Sequence, residues 1–104
     1  MEKRKPTFDL ASFREAVKSP KKVFFTRSSL ASAFKLGLNR SGMVEVIQAM
    51  ESGHFYKSMT ANFDSNSWQD VYHVPSIVGI IYIKFTTGTV TEFTLLSFKE
   101  KING

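Results

Sequence analysis

A lysine lies among aromatic and hydroxyl-bearing residues in the stretch FYKSMT (55–60), which has the composition of a short β-strand. Strand side chains alternate between two faces, so Phe55, Lys57 and Met59 are predicted to share one face. A cation beside aromatic rings on a sheet indicates a surface that binds anions. The alternative is an edge strand whose charge prevents edge-to-edge aggregation. In either case, Lys57 is the first candidate for a functional side chain.

Further polar side chains lie on the strands predicted after this one. Gln69 and His73 fall on one face of their strand, together with an apolar residue between them. Tyr82 and Lys84 share a face of the next strand, and Lys99 ends the last one. If these strands are neighbours in a sheet, their polar groups converge on one surface.

Each of these side chains also has a purely structural interpretation. Lys57 and Lys99 could be solubility charges on an edge strand and at a strand end. Tyr82 could be a core ring with its hydroxyl at the rim, and Gln69 could fill a cross-strand position. Taken one at a time, the residue types favour these structural interpretations.

Three other residues of the second strand have weaker claims to a functional role. Trp68 and Tyr72 lie on the opposite face from Gln69, so they are predicted to be packing groups and not platforms for stacked bases. A lone histidine is more often structural or solvated than catalytic. His73 is therefore a reserve candidate for acid–base chemistry, because it shares a face with Gln69.

Composition limits the kinds of protein that the chain can be. The 104 residues fit one domain, and a hydrophobic fraction of 42% is enough to form a core. The formal net charge of +5 favours a polyanionic partner such as nucleic acid. There is no cysteine, and the two histidines do not have a zinc-binding spacing. We expect a cytoplasmic protein without metal, cofactor or membrane association.

Three helices are predicted in the first half of the chain, each beginning at a residue that can cap it. The candidate caps are, in order, Thr7 or Asp9, Thr26, and Asn39 or Ser41. The first helix ends before Pro20, and the other two end at Gly37 and Gly53. The third has the clearest apolar stripe, which indicates core packing by Met43, Val46, Ile47 and Met50.

The second half of the chain is predicted to be a sheet. β-Branched and aromatic residues dominate there, with strands expected at 55–60, 68–74, 77–86 and 90–98. Residues 61–67 form a polar connection, Pro75 closes the second strand, and a hairpin turns at 87–88. The third strand is nearly all apolar, so it is expected to be central and covered by helices. Val23–Phe25 is a short strand or an extended connection. The sequence thus predicts an α+β fold, with N-terminal helices packed on a C-terminal antiparallel β-sheet.

The motifs in this chain resemble those of a known family. FYKSMT (55–60), WQDVY (68–72), GIIYIK (79–84) and SFKEK (97–101) closely resemble the MqsR family of bacterial motility quorum-sensing regulator toxins. MEKR (1–4), TRS (26–28) and LGL (36–38) extend the resemblance over almost the whole chain. It implies that residues 1–104 form one RelE-like domain.

The resemblance also implies an activity and a partner. It indicates a toxin that cleaves mRNA at short GC-containing triplets, without a strict need for the ribosome, and is neutralised by a zinc-binding antitoxin of the MqsA type. The toxin alone is expected to be a monomer. With the antitoxin, it is expected to form a hetero-oligomer. By position, the family's proposed active residues fall on Lys57, Gln69, Tyr82 and Lys99. We add three RNA-binding candidates that the resemblance does not assign: Lys84, His73 and Lys101.

The reaction implied is internal transesterification, in which the ribose 2′-hydroxyl attacks the adjacent phosphorus and leaves 2′,3′-cyclic phosphate and 5′-hydroxyl ends. Lys57 and Lys99 are expected to stabilise charge on the phosphate, since a lysine of ordinary pKa, about 10.4, is a poor base at pH 7. Tyr82 is expected to donate a proton or orient a hydroxyl, and Gln69 to position the substrate. The resemblance does not identify the general base. Ribosome-dependent cleavage and a non-catalytic module that binds RNA or protein are the alternatives.

Overall fold

The computed structural model describes residues 1–61 and 64–102, except for the side chains of residues 64 and 65. The helices are α1 (Leu10–Ala16), α2 (Arg27–Lys35) and α3 (Arg40–Gln48), followed by a 3₁₀ turn at Ser52–His54. The strands are β1 (Glu2–Lys3), β2 (Val23–Phe25), β3 (Phe55–Ala61), β4 (Asp64–Ser76), β5 (Gly79–Thr87) and β6 (Phe93–Glu100). None of these helices has the length and apolar character needed to cross a membrane.

The six strands of the described residues form one sheet in the order β1-β3-β4-β5-β6-β2. All neighbours are antiparallel except β2 and β6, which run parallel. The α+β fold is confirmed, and β5 is central as predicted. The sheet is not purely C-terminal or purely antiparallel, because β1 and β2 add N-terminal strands to its two edges. The sequence pattern did not indicate β1, which pairs with residues more than fifty positions away.

The helix starts agree with the predicted caps. Asp9, Thr26 and Asn39 each accept a hydrogen bond from a backbone N–H three residues later. Gly37 follows α2 with a φ of +83°, a conformation that favours glycine. The end of α3 was predicted wrongly: the helix stops at Gln48, and Gly53 lies in the 3₁₀ turn that follows.

The helices cover one face of the sheet, which we call the covered face. Alternate residues of β5 point into this core, where Ile81, Ile83 and Phe85 are fully buried. The Phe13 ring of α1 stacks on Phe85 with 3.8 Å between centroids. Met43, Ile47 and Met50 are also completely buried, as the apolar stripe predicted. Tyr72 of β4 belongs to the same core, which confirms its predicted packing role.

Several strand boundaries differ from the prediction. β4 begins at Asp64, inside the predicted connection, of which residues 62 and 63 lie outside the described residues. It also continues through Pro75, because β3 makes its last pair with Tyr72 and this end of β4 has only β5 as a neighbour. β5 and β6 begin later than predicted, so Ile77 and Val90 lie in connections and are almost fully exposed.

Candidate active site

The opposite side of the sheet, which we call the open face, carries the predicted site residues in two adjacent rows. In the first row, Lys57 of β3 lies opposite Val71, Val71 lies opposite Lys84 of β5, and Lys84 lies opposite Ser97. In the second row, Tyr82 lies between His73 of β4 and Lys99 of β6. Directly opposed residues on neighbouring strands have Cα atoms about 4.5–5.5 Å apart. The fold therefore brings both lysine-bearing rows together on one surface.

A β-bulge changes which residues of β3 reach this surface. Phe55 pairs with Tyr72 and Lys57 with Val71, so Tyr56 is the extra residue. Phe55 consequently packs into the core, at 5.4 Å from the Tyr72 ring, and is not on the face of Lys57 as alternation predicted. Tyr56 instead stacks on His73 with 4.3 Å between centroids and an angle of 24°. The bulge thus places an aromatic ring and a cation side by side on the open face.

A depression of about 540 Å³ lies at the second row. Its lining includes Tyr56, His73, Tyr82, Lys99 and Lys101. The Lys99 ammonium is 5.2 Å from the centroid of the Tyr82 ring. Aromatic rings beside ammonium groups can hold a nucleobase and a phosphate at the same time.

The lysines of the first row, Lys57 and Lys84, are partly buried. Val71 is fully buried although it does not belong to the helix-side core, so the side chains on either side of it must cover it. Those neighbours are Lys57 and Lys84, whose aliphatic stems can lie over the valine while their ammonium groups reach outward. Such lysines have less freedom than lysines in open solvent, and they hold their charges in place.

Lys57 makes an ion pair that the sequence gave no sign of. Its Nζ donates a hydrogen bond to Oε1 of Glu2 at 2.5 Å, and β1 delivers that carboxylate by pairing Glu2 with Met59. This hydrogen bond raises the pKa of Lys57 and lowers the pKa of Glu2. Both groups are therefore charged at pH 7, and Lys57 is not suited to act as a base.

The other titratable groups on the open face are shifted mainly by burial. Partial burial raises the pKa of Tyr82, an effect that the Lys57 ammonium opposes, so the phenol keeps its proton at pH 7. Burial lowers the pKa of Lys84, and the charges of Lys99 and Lys57 lower it further. Burial also lowers the pKa of His73, with a contribution from Lys101, which leaves its imidazole neutral at pH 7.

Gln69 lies further from the depression than the other predicted site residues. It pairs with Met59, two residues along β4 from Val71, which corresponds to about 6.7 Å along a strand. Its side chain is thus in a further row with Met59, on the side of the first row away from the depression, and does not line the depression. On the same strand, Trp68 is partly buried and has the Lys3 ammonium 4.2 Å from a ring centroid.

The geometry therefore groups the predicted residues unequally. Tyr82, Lys99, His73 and Lys101 line one depression, Lys57 and Lys84 occupy the adjacent row, and Gln69 lies beyond them. Sequence reasoning missed Tyr56, because a bulge is not visible in a strand pattern, and Glu2, because its two-residue strand has no periodicity. The presence of both in the motifs of the resemblance was the available signal.

Comparison with known proteins agrees with this arrangement. The chain is 41% identical over 101 residues to the mRNA interferase toxin MqsR of Escherichia coli (strain K12), which covers 97% of this chain and 100% of that protein. The family model described as motility quorum-sensing regulator, toxin of MqsA, matches residues 5–100. Both matches extend through the strands that carry the site. The chain accordingly belongs to the MqsR family of motility quorum-sensing regulator toxins.

Proposed function

We propose that this MqsR toxin cleaves mRNA by attack of a ribose 2′-hydroxyl on the adjacent phosphorus, which yields 2′,3′-cyclic phosphate and 5′-hydroxyl ends. The observation that carries the proposal is the grouping of Lys57, Lys84 and Lys99 around Tyr82 on one open sheet face. RNA supplies its own nucleophile in this reaction, so the protein must position it, stabilise phosphate charge and move two protons.

The roles of the residues follow from their protonation states. Lys57 and Lys99 hold phosphate oxygens as they gain charge, a role that a lysine with a raised pKa such as Lys57 can fill across the physiological range. Tyr82 keeps its proton at pH 7 and gives it to the leaving 5′-oxygen. Gln69 contacts the neighbouring nucleotide, in keeping with its distance from the depression.

RNA binding is assigned to the remaining polar groups of the open face. Lys84 and Lys101 contribute positive charge that binds the RNA backbone on either side of the scissile phosphate. His73 stacks on Tyr56 and lies at a tilt of 38° and 5.8 Å from the Tyr82 ring, so the three rings continue an aromatic surface for a base. The E. coli relative is named an mRNA interferase, which supports mRNA as the substrate. We also propose that the cleavage sites are short GC-containing triplets on free mRNA and that cleavage does not require the ribosome.

An antitoxin of the MqsA type is the partner, in keeping with the description of the family. We place the chain, as one RelE-like domain of residues 1–104, in the cytoplasm, where mRNA and the antitoxin are available. It is a monomer alone and part of a hetero-oligomer with the antitoxin. Sedimentation of the toxin with and without antitoxin tests this assignment; a stable toxin dimer would contradict it.

The decisive experiment maps cleavage ends on purified RNA without ribosomes. We expect discrete cuts with cyclic phosphate ends, and no cut where the 2′-hydroxyl is replaced by a 2′-O-methyl group. Lys57→Ala should lower the rate on the order of a hundredfold. The matched control is Lys18→Ala, which removes a lysine from an ion pair with Glu15 on α1 and should cleave like the wild type.

Three results would contradict parts of this proposal. Products with 5′-phosphate ends would exclude the 2′-hydroxyl mechanism. Cleavage only after ribosomes are added would replace free mRNA with ribosome-bound mRNA as substrate. Stable binding of RNA that is never cut would indicate a binding module instead of an enzyme.

A further inference from the structure

The N-terminal segment is fastened to the sheet at both of its ends. Its first residues pair with β3, where the backbone N–H of Thr60 donates to the carbonyl of Met1 at 2.9 Å. Its last residues are held by the buried Asp70 carboxylate, which accepts backbone N–H bonds from Thr7 and Phe8 at 2.9–3.0 Å. This anchoring holds Glu2 beside β3.

The Glu2–Lys57 pair differs from an ordinary surface ion pair. Lys18 and Glu15 form such a surface pair within one helix turn, and their side chains are 57% and 72% exposed. The side chain of Lys57 is only 21% exposed, although that of Glu2 is 56% exposed, and the carboxylate comes from a different strand. The fold thus directs a carboxylate to the lysine proposed to hold the scissile phosphate.

The proposed reaction requires a proton acceptor next to that phosphate. Lys57 and Tyr82 are both protonated at pH 7. The His73 imidazole is neutral, but it lies directly opposite Tyr82, on the side of the proposed proton donor, whereas the Glu2 carboxylate contacts Lys57. A lysine ammonium has three N–H donors, of which Lys57 gives one to Glu2. If a phosphate oxygen accepts a hydrogen bond from another N–H group of Lys57, the phosphorus and the neighbouring 2′-oxygen lie within reach of the Glu2 carboxylate.

We infer that Glu2 is the general base of RNA cleavage, an inference that rests on the proposed function. The Glu2 carboxylate takes the proton of the 2′-hydroxyl while the 2′-oxygen forms its bond to phosphorus. The bond from phosphorus to the 5′-oxygen breaks, and the leaving oxygen receives the Tyr82 proton. Exchange with water returns the proton to Tyr82 and removes the one from Glu2. Lys57 keeps Glu2 ionised and neutralises its charge near the phosphate.

Glu2→Gln preserves the shape of the side chain and removes its basicity, so it provides the main test. We expect kcat to fall on the order of a hundredfold or more, with no weaker binding of 2′-O-methyl RNA. The groups that act on Glu2 are Lys57 from β3, and Arg4 and the N-terminal ammonium from its own segment. They lower its pKa below 4.5, so wild-type kcat should show no limb from Glu2 between pH 5.5 and 8. The variant must rely on hydroxide, and its kcat should rise about tenfold per pH unit over the same range.

Two further variants separate a base from a structural residue. Glu2→His should recover part of the lost rate and introduce a limb near the ordinary imidazole pKa of about 6.5. Glu15→Gln breaks the matched pair with Lys18 far from the open face and should leave both kcat and its pH profile unchanged.

The opposite results would overturn the inference. If Glu2→Gln cleaves as fast as the wild type or faster, the carboxylate merely competes with phosphate for Lys57. If its rate falls with an unchanged pH profile and Glu2→His recovers nothing, the pair serves only to hold β1. If the wild type leaves cyclic phosphate ends, either result overturns only the role of Glu2, and the proposed cleavage chemistry stands. Other ends from the wild type would overturn the proposed chemistry and this role with it.

Discussion

The two faces of the sheet differ although the same strands build both. Along β5, Ile81, Ile83 and Phe85 are fully buried under the helices, whereas Tyr82 and Lys84 between them reach the open face. The covered face is packed for stability. On the open face, the ammonium groups of Lys99 and Lys57 lie close enough to Lys84 to add to the lowering of its pKa by burial, and this repulsion opposes folding. The comparison suggests that adjacent residues of one strand can be changed with separate effects on folding and on cleavage.

The largest effect is expected at the centre of the covered face. Phe85 contacts the rings of Phe8, Phe13, Tyr72 and Phe93, so Phe85→Ala would leave a cavity among aromatic groups. We expect a loss of about 3–5 kcal/mol in the free energy of unfolding, from a total of about 5–15 kcal/mol for a domain. Chemical denaturation measures this loss. Val90→Ala, at a position that is 97% exposed, is the control and should change stability by less than about 0.5 kcal/mol. A loss below about 1 kcal/mol for Phe85→Ala would mean that the core is not packed as described.

Two tyrosines on neighbouring strands sharpen the comparison. Tyr82→Phe should reduce kcat on the order of a hundredfold, equivalent to about 2.7 kcal/mol of transition-state stabilisation, with a small change in stability. Tyr72→Phe removes the same hydroxyl from the covered face, where burial raises the pKa of Tyr72 to about 12. We expect its kcat to stay at the wild-type value. Single-turnover cleavage of a short RNA measures both rates, and equal rates for the two variants would refute the division of roles between the faces.

The sequence predicted best the features that depend on near neighbours. Asp9, Thr26 and Asn39 cap their helices through residues three positions away, and the stripe around Met43 needs only the helical period. Features that depend on distant partners were missed or misplaced. The two residues of β1 become a strand only by pairing with β3, and Pro75 is tolerated in β4 only because β3 has ended.

The site shows the same division between near and distant partners. The resemblance supplied Lys57, Gln69, Tyr82 and Lys99, and strand alternation indicated that Tyr82 and Lys84 share a face. Neither indicated the bulge that exposes Tyr56 or the carboxylate that meets Lys57. A register shift and an ion pair across 55 residues are decided by how the whole sheet assembles, which no local pattern encodes.

Asp70 is expected to connect the two faces. It is fully buried on the covered side, yet it anchors the segment that carries Glu2. Asp70→Asn replaces a carboxylate oxygen by an NH₂ group facing N–H donors, and should cost about 2 kcal/mol of stability. We also expect a lower kcat, because the Glu2 segment loosens. Thermal unfolding and cleavage rates test both effects, and a stability equal to the wild type would show that the anchor is unimportant.

The smallest expected effect is a pH dependence of RNA binding through His73. Its pKa is lowered by burial and by Lys101, and its ring lies between those of Tyr56 and Tyr82, so the group is neutral at pH 7. Lowering the pH from 7.5 through the pKa of His73 adds a cation to the open face, and the affinity for 2′-O-methyl RNA should rise a few-fold. His73→Gln should remove this rise, as measured by fluorescence anisotropy, and a rise of the same size in the variant would assign it to another group. Stability should respond in the opposite sense: because the folded-state pKa is below the unfolded value of about 6.5, stability is complete above that pH and decreases as the pH falls through it. Protonation of His73 would therefore strengthen RNA binding while it lowers the stability of the free protein, so this side chain of the open face links the two properties that the faces otherwise keep apart.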